Sequence, residues 1–422
     1  MKIKALKYFD QILFILLVST PFIFLFGKFV SDLSIILCGL LFITISILIK
    51  KTNYIFSKIS ILFYSFNLYL IIRSLLSSDI YLSLESSIFL FRFWFFSLSL
   101  LYILNTKKSF LRNYLYTSLS AILLIFIDSC IQFFFGYNIT GNQYLGERIS
   151  SFFGKEYILG GYIGRLLLLN LAIITIIFNK NKNQNIAIIL LFFLSLIIIL
   201  LSGDRIGILY FIIALIVFIV FSYYSKIFKL YLSMFFSISL LSIIFFVENI
   251  YNRVIVTTLR QVGLIGDNIN NGNLHIFSSG LTEVYLTAIN IFNDNKLFGI
   301  GTKLFRKYCL EEKYIVGDGC TTHPHNYLIQ LLTETGLFGL FLYFNFIFLL
   351  LFILFKNIYL RYIKDFDNYL VAKIYINILL LVHLVPFYPT GSIFHNFTSI
   401  QIFLPIGFFL YFYFKDQEKK YN

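Results

Sequence analysis

Two of the chain's five histidines, His323 and His325, flank Pro324 in the segment Cys320-Thr321-Thr322-His323-Pro324-His325-Asn326-Tyr327. The segment runs on through Gln330, Glu334, Gly336 and Gly339 and is the most polar, most sharply punctuated stretch of a hydrocarbon-rich sequence. A histidine with an ordinary pKa of about 6.5 can take a proton from a hydroxyl at neutral pH. His325 is the candidate base, with His323 and Asn326 beside it as candidate substrate contacts. A competing role for His325 is helix capping next to Pro324. Glu334 follows His325 by nine residues, which at about 100° each is the opposite face of a continuous helix. It is expected to anchor another helix, with Gly336 and Gly339 as structural residues, unless the helix breaks near Gly336.

Arginine is the second signal. Of 34 Lys and Arg residues, 20 fall at the termini and in one alternating set of loops between apolar runs, and only Arg112 and Arg361 among them are arginine. The other 14 include Arg73, Arg92, Arg148, Arg165, Arg205, Arg253, Arg260 and Arg306. A planar guanidinium matches phosphate oxygens two at a time, whereas lysine offers a point charge. An arginine near mid-membrane costs about 2.5–3.5 kcal/mol, so such residues need a reason. The reading is an outward diphosphate site with Arg205 leading and Arg148, Arg165 and Arg306 as further candidates. Snorkelling, or pairing with Asp79, Glu85 and Asp128, is the alternative. Asp128 and Gln132 lie one turn apart on one face, as a hydrogen-bonded helix contact would require.

These groups need elements to position them. The apolar fraction is 59%, charged residues are 13% and aromatics 20%, too little charge for a soluble surface of 422 residues. Apolar runs at roughly 11–27, 31–49, 59–77, 86–104, 112–135, 157–178, 186–202, 206–223, 229–247, 335–356, 370–387 and 396–414 make about twelve expected spans. The fold class is therefore all-α, a polytopic membrane protein, since lipid demands internally satisfied backbone. The organisation reads as a membrane bundle over 1–247, a loop over 248–334 and a second bundle over 335–422. The lysine bias puts both termini in the cytoplasm and the long loop outside, and the first span is read as a retained helix. With the positives dispersed among short loops, the net charge of +14 is an orientation signal, and no nucleic acid partner is implied. The loop carries one amphipathic helix, with Leu281, Val284, Tyr285, Ala288, Ile289 and Phe292 at helical spacing and Ser279 as the expected cap. Cys309 and Cys320, both outside, are expected to be bridged at a gain of about 3 kcal/mol. Their spacing with the histidines does not fit a zinc site, and no metal is expected.

The order of motifs carries a resemblance. Gly203-Asp204-Arg205 follows a span; a helix leads to Leu297-Phe298-Gly299-Ile300-Gly301 and Phe305-Arg306. His323-Pro324-His325-Asn326 and Glu334-Thr335-Gly336-Leu337-Phe338-Gly339 complete the set. Over about 185–345 this resembles the O-antigen ligase and O-antigen polymerase family of bacterial envelope glycosyltransferases. The resemblance implies a multi-pass inner-membrane enzyme with a periplasmic active site, taking a glycan from undecaprenyl diphosphate. A ligase would pass the glycan to lipid A-core, and a polymerase to another lipid-linked repeat. It implies inversion, metal independence and no cofactor, with His325 and Arg205 at the matching positions. The family often has an arginine where this chain has Leu281 and a proline where it has Lys296. The second diphosphate-binding arginine stays open among Arg148, Arg165, Arg260 and Arg306. A flippase for lipid-linked sugars is the different-class rival; such transporters tend to show two related halves with broken helices.

Overall fold

The computed structural model describes residues 2–50, 52–144, 146, 148–178, 182–262, 264–265, 277–363 and 367–421. Lys51, Lys180 and Lys364 of the loop set lie outside the described residues. The chain order is α1 (Lys2–Val18), α2 (Lys28–Leu48), α3 (Lys58–Leu75), α4 (Ile80–Thr106), α5 (Phe110–Phe135), α6 (Leu159–Ile177) and α7 (Lys182–Leu201). There follow α8 (Arg205–Phe221), α9 (Lys226–Phe246), α10 (Ser279–Asp294), α11 (Phe305–Tyr308), α12 (Tyr327–Ile363), α13 (Asn368–Leu384) and α14 (Asn396–Tyr421).

Nine helices among the described residues are long and apolar enough to cross a membrane. A tenth arises if Leu6–Val18 and Thr20–Phe26, bent by 56°, form one span. Pro21 sits at the start of the second piece, where its missing N–H costs nothing. The expected count of about twelve is not confirmed, because α8 and α13, apolar helices at expected span positions, are shorter than those nine. Each has 17 residues, a rise of about 26 Å against roughly 30 Å of hydrocarbon.

Helices α6 and α14 are apolar on all sides and form the centre, with 78% and 83% of their apolar windows buried. By contrast, α9 is peripheral, with 17% buried. Small residues let α6 and α8 meet closely: a Cβ on Gly207 would lie 2.7 Å from the Gly160 backbone.

The helix that carries the histidine segment, α12, starts at Tyr327, ahead of the expected 335, and is broken at Gly336 (φ 66°, ψ −172°). A break inside an apolar helix frees amides and carbonyls that lipid cannot satisfy. Residues 296–301 fill it. Leu337 N donates to Lys296 O (2.9 Å), Phe338 N to Leu297 O (3.1 Å), Ile300 N to Thr333 O (3.2 Å) and Gly301 N to Glu334 O (2.8 Å). The insertion is clamped from α3. Tyr69 Oη donates to Thr335 O at 2.6 Å, and Arg73 reaches Gly299 O through Nε at 2.9 Å and Nη2 at 2.7 Å.

Arg73 thus holds backbone. Arg92 pairs with Asp32 at 3.1 Å and donates to Asn396 Oδ1 at 2.8 Å. Neither arginine uses the acids proposed for it. Asp79 bonds Lys307, Glu85 faces Lys303 at 3.4 Å, and Asp128 accepts from Ile139 N, Asn138 and Ser151. Gln132 accepts from Ser151 N at 2.8 Å, so the Asp128 and Gln132 face staples the loop that follows α5.

Over the broken end of α12 lies a second, smaller core of Val284, Ala288, Ile291, Ile300, Leu304, Phe305, Cys309 and Tyr314. It is built by α10, whose N-cap is Ser278 with no side-chain cap bond, one residue before the Ser279 expected. Thr333 Oγ1 donates to Ala288 O at 3.2 Å, tying α10 to α12. Cys309 and Cys320 are bonded to each other, with Cα atoms 5.0 Å apart.

Candidate active site

The α12 N-terminus sets the histidines. Asn326 is its cap: Oδ1 accepts from Leu328 N (2.9 Å) and Ile329 N (3.3 Å), while Nδ2 donates to Pro386 O (3.1 Å). Both ends of the amide are engaged, so Asn326 is held as the α12 cap directly beside His325. The capping role considered for His325 falls to Asn326 for the same reason.

His325 has φ +55°, the left-handed region that a non-glycine residue rarely occupies. Such backbone costs on the order of 1–3 kcal/mol and persists where neighbours over-determine it. Here the Asn326 cap follows, and Thr390 N donates to His325 O at 2.7 Å. The rings of His323 and His325 lie 4.2 Å apart. His323 Nδ1 meets Thr322 Oγ1 at 3.0 Å, and its Nε2 is buried without a partner. The His325 ring has no side-chain hydrogen-bond partner among the described residues; the Thr390 backbone is the group that bonds to it. Burial pushes the His323 pKa down to about 4, with the His325, His395 and Arg306 charges adding to it and the Thr390 backbone bond opposing. Burial also lowers His325, against the Thr390 bond. Both rings are neutral at pH 7, and His325 keeps an open lone pair.

Glu334 is buried and points elsewhere. Its Oε1 accepts from Phe305 N (3.3 Å) and its Oε2 from Gln330 Nε2 (3.1 Å), so it ties the start of α11 to α12. Gln330 Nε2 also donates to Ser392 Oγ (2.9 Å), and its Oε1 accepts from Ile393 N (3.1 Å), fixing the turn between α13 and α14. That turn contains Thr390. Gly339 packs against Thr335 and Tyr69, and a Cβ there would lie 2.3 Å from Thr335 Oγ1.

The arginines divide. Arg205 Nη1 donates to Thr258 Oγ1 (2.9 Å) and Gln261 Oε1 (2.8 Å). Asp204 is spent as the α8 cap, accepting from Ile206 N (3.1 Å) and from Gly161 N (2.9 Å). Arg148 donates to Ser202 O (3.2 Å) and Tyr157 O (2.9 Å) and lies 4.8 Å over the Tyr157 ring. Among charges, Asp204, then Arg253 and Arg205 act on Arg148, and Arg253 and Asp204 act on Arg205. Arg253 Nε is buried without a partner. These three guanidiniums therefore gather with no carboxylate ion pair among the described residues. Sequence reasoning counted Arg253 but did not single it out. Its only signal was membership of the outward set.

Arg165 lies beneath, 5.1 Å from the Tyr210 ring, with Nε buried and unpartnered. Tyr210 Oη meets Tyr388 Oη at 2.9 Å, and Tyr388 stands two residues before Thr390. This seam joins Arg165 to the turn whose Thr390 bonds His325. Arg306 is apart from the cluster: it is exposed on α11, and its charge acts on His323 and Glu334. Arg260 is exposed on the short helix Thr257–Val262. Lys296, where the resembling family often has proline, contributes its carbonyl, which proline would keep. No group of three or more His, Cys, Asp or Glu with metal-holding geometry occurs among the described residues.

The O-antigen ligase family model (Wzy_C) matches residues 190–344. The matched stretch holds Arg205, Arg253, Arg306, His323, His325 and Glu334, and leaves out Arg148 and Arg165. No curated protein matches the chain. The O-antigen ligase match bears out the resemblance read from the motifs and supports an O-antigen ligase-like function in polysaccharide biosynthesis. With the apolar helices, it supports a multi-pass membrane protein.

Proposed function

We propose that this chain is a membrane glycosyltransferase of the O-antigen ligase type, moving a glycan from undecaprenyl diphosphate to a sugar hydroxyl on lipid A-core at the periplasmic face. The observation that carries the proposal is the neutral His325 ring, with no side-chain partner among the described residues and held in left-handed backbone within the matched stretch. His325 takes the proton of the acceptor hydroxyl as its oxygen bonds to the anomeric carbon. The bond from that carbon to the diphosphate breaks, and its electron pair stays on the diphosphate oxygen. Attack opposite the leaving group inverts the centre. Arg205, Arg148 and Arg253 neutralise the charge that develops on the leaving group, and fixed guanidiniums do this without reorganisation at the moment of reaction. Arg165 supports the same region from below, and Arg306 with His323 lines the acceptor side. Neither a cofactor nor a metal is needed in this scheme.

The test is glycan transfer in reconstituted vesicles supplied with a lipid diphosphate-linked glycan and lipid A-core. His325→Ala is expected to abolish transfer while donor binding survives, and Arg205→Ala is expected to weaken donor binding. Transfer retained in His325→Ala would overturn the base assignment. Mass analysis showing growth of a lipid-linked polymer, with nothing added to lipid A-core, would replace the ligase reading by a polymerase.

A further inference from the structure

At the end of the bundle remote from His325, α12, α13 and α14 frame a partly open cavity of about 170 Å³. Its walls include Phe352, Phe409, Phe412 and Tyr413, and its polar groups are Lys356, Asn357, Asn377, Gln417 and the ion pair of Lys373 with Asp416. Asn357 and Asn377 are each 2% exposed. Asn357 Nδ2 and Asn377 Oδ1 are both buried without a partner. Each unmet amide atom costs about 1–3 kcal/mol in an apolar surrounding, so two lining one cavity call for a ligand. Lys356 is exposed and makes no ion pair with any described residue. It lies seven residues before the end of α12, about 10 Å along the axis. Snorkelling of the Lys356 stem would explain its charge. It would leave both asparagines unsatisfied.

We infer that this cavity binds the headgroup of an anionic phospholipid whose phosphate ester carries a free hydroxyl, the chemistry of a phosphatidylglycerol. The phosphate meets the Lys356 ammonium. One hydroxyl both donates to Asn377 Oδ1 and accepts from Asn357 Nδ2, which a choline headgroup cannot do. The acyl chains lie against Phe352, Phe409 and Phe412. Lys373 stays with Asp416 and contributes no net charge. The site serves the seating of the bundle in lipid and is independent of the transfer chemistry.

The experiment is native mass spectrometry of the full-length chain, delipidated in detergent and titrated with phosphatidylglycerol, phosphatidylcholine or soluble glycerol phosphate. Wild type is expected to retain phosphatidylglycerol about tenfold more tightly than phosphatidylcholine, the span of the neutral hydroxyl bonds to Asn357 and Asn377 that choline lacks. Lys356→Gln and Asn377→Leu are each expected to erase that preference. Lys356→Gln, which changes an exposed side chain, guards against loss of fold, checked by an unchanged thermal midpoint. Equal retention of the two lipids by wild type, or an unchanged preference in Lys356→Gln, would overturn the inference and leave water as the occupant. Soluble glycerol phosphate bound as tightly as the lipid would overturn the assignment to a lipid.

Discussion

Replacing Gly336 by alanine addresses the feature on which the histidine segment hangs. At φ 66° and ψ −172° the backbone lies in a region essentially confined to glycine, at a cost of about 1–3 kcal/mol for any other residue. The added Cβ would stand 2.5 Å from Gly299 N and from Leu297 C and O. These are backbone atoms of the inserted segment, so they cannot rotate away. If the segment retreats, the bonds from Leu337 N to Lys296 O and from Phe338 N to Leu297 O are lost, at about 1 kcal/mol each. The sum is on the order of 3–5 kcal/mol. The Tyr327–Thr335 part of α12 would also lose its angle, and with it the setting of His325. The assay is thermal unfolding in detergent followed by dye labelling of Cys38, which is 0% exposed in the fold, run beside glycan transfer. Gly280→Ala is the control, since nothing lies within 4 Å of a Cβ there. Gly336→Ala is expected to lower the midpoint by several degrees and to cut transfer, with Gly280→Ala close to wild type. An unchanged midpoint and full transfer in Gly336→Ala would refute the account of the break.

The remaining predictions are narrower. Burial lowers the His325 pKa from its ordinary 6.5, and the base works unprotonated, so the acid limb of kcat/KM is expected below pH 6.5; a limb at or above that pH would contradict the assignment. Arg253→Gln is expected to reduce kcat/KM about 10- to 100-fold, equal to about 1.4–2.7 kcal/mol, mainly through the donor. An equal loss with a donor lacking the diphosphate would count against that role. His323 titrates at about 4 in the fold against 6.5 in the unfolded chain. The folded state thus binds fewer protons, and stability is expected to fall as pH drops from 6.5 towards 4. His323→Gln should flatten that dependence in the same unfolding assay. Reduction of the Cys309–Cys320 bond closes no loop in the unfolded chain and should destabilise the outer core by about 3 kcal/mol, read as faster proteolysis between α10 and α12.

Periodicity and run length determined the helices, their all-α class and the position of the long connection, because those properties depend on residues close in sequence. The motif order likewise marked the family stretch. Sequence could not assign partners. Arg73 and Arg205 look alike in a list of outward arginines. One holds the Gly299 carbonyl, and the other faces Thr258, Gln261 and two more guanidiniums. Asn326 stands beside His325 by sequence, but the Pro386 carbonyl that engages its amide comes from a distant part of the chain. Helical angle could not place Glu334 against His325, because His325 lies outside α12 in left-handed backbone and α12 breaks at Gly336; the partner of Glu334, the Phe305 amide, comes from another element. The glycines of 299–301 and Gly336 announced turns. Only tertiary packing showed that one turn fills the break made by the other, because a buried backbone must find its hydrogen bonds wherever the fold supplies them.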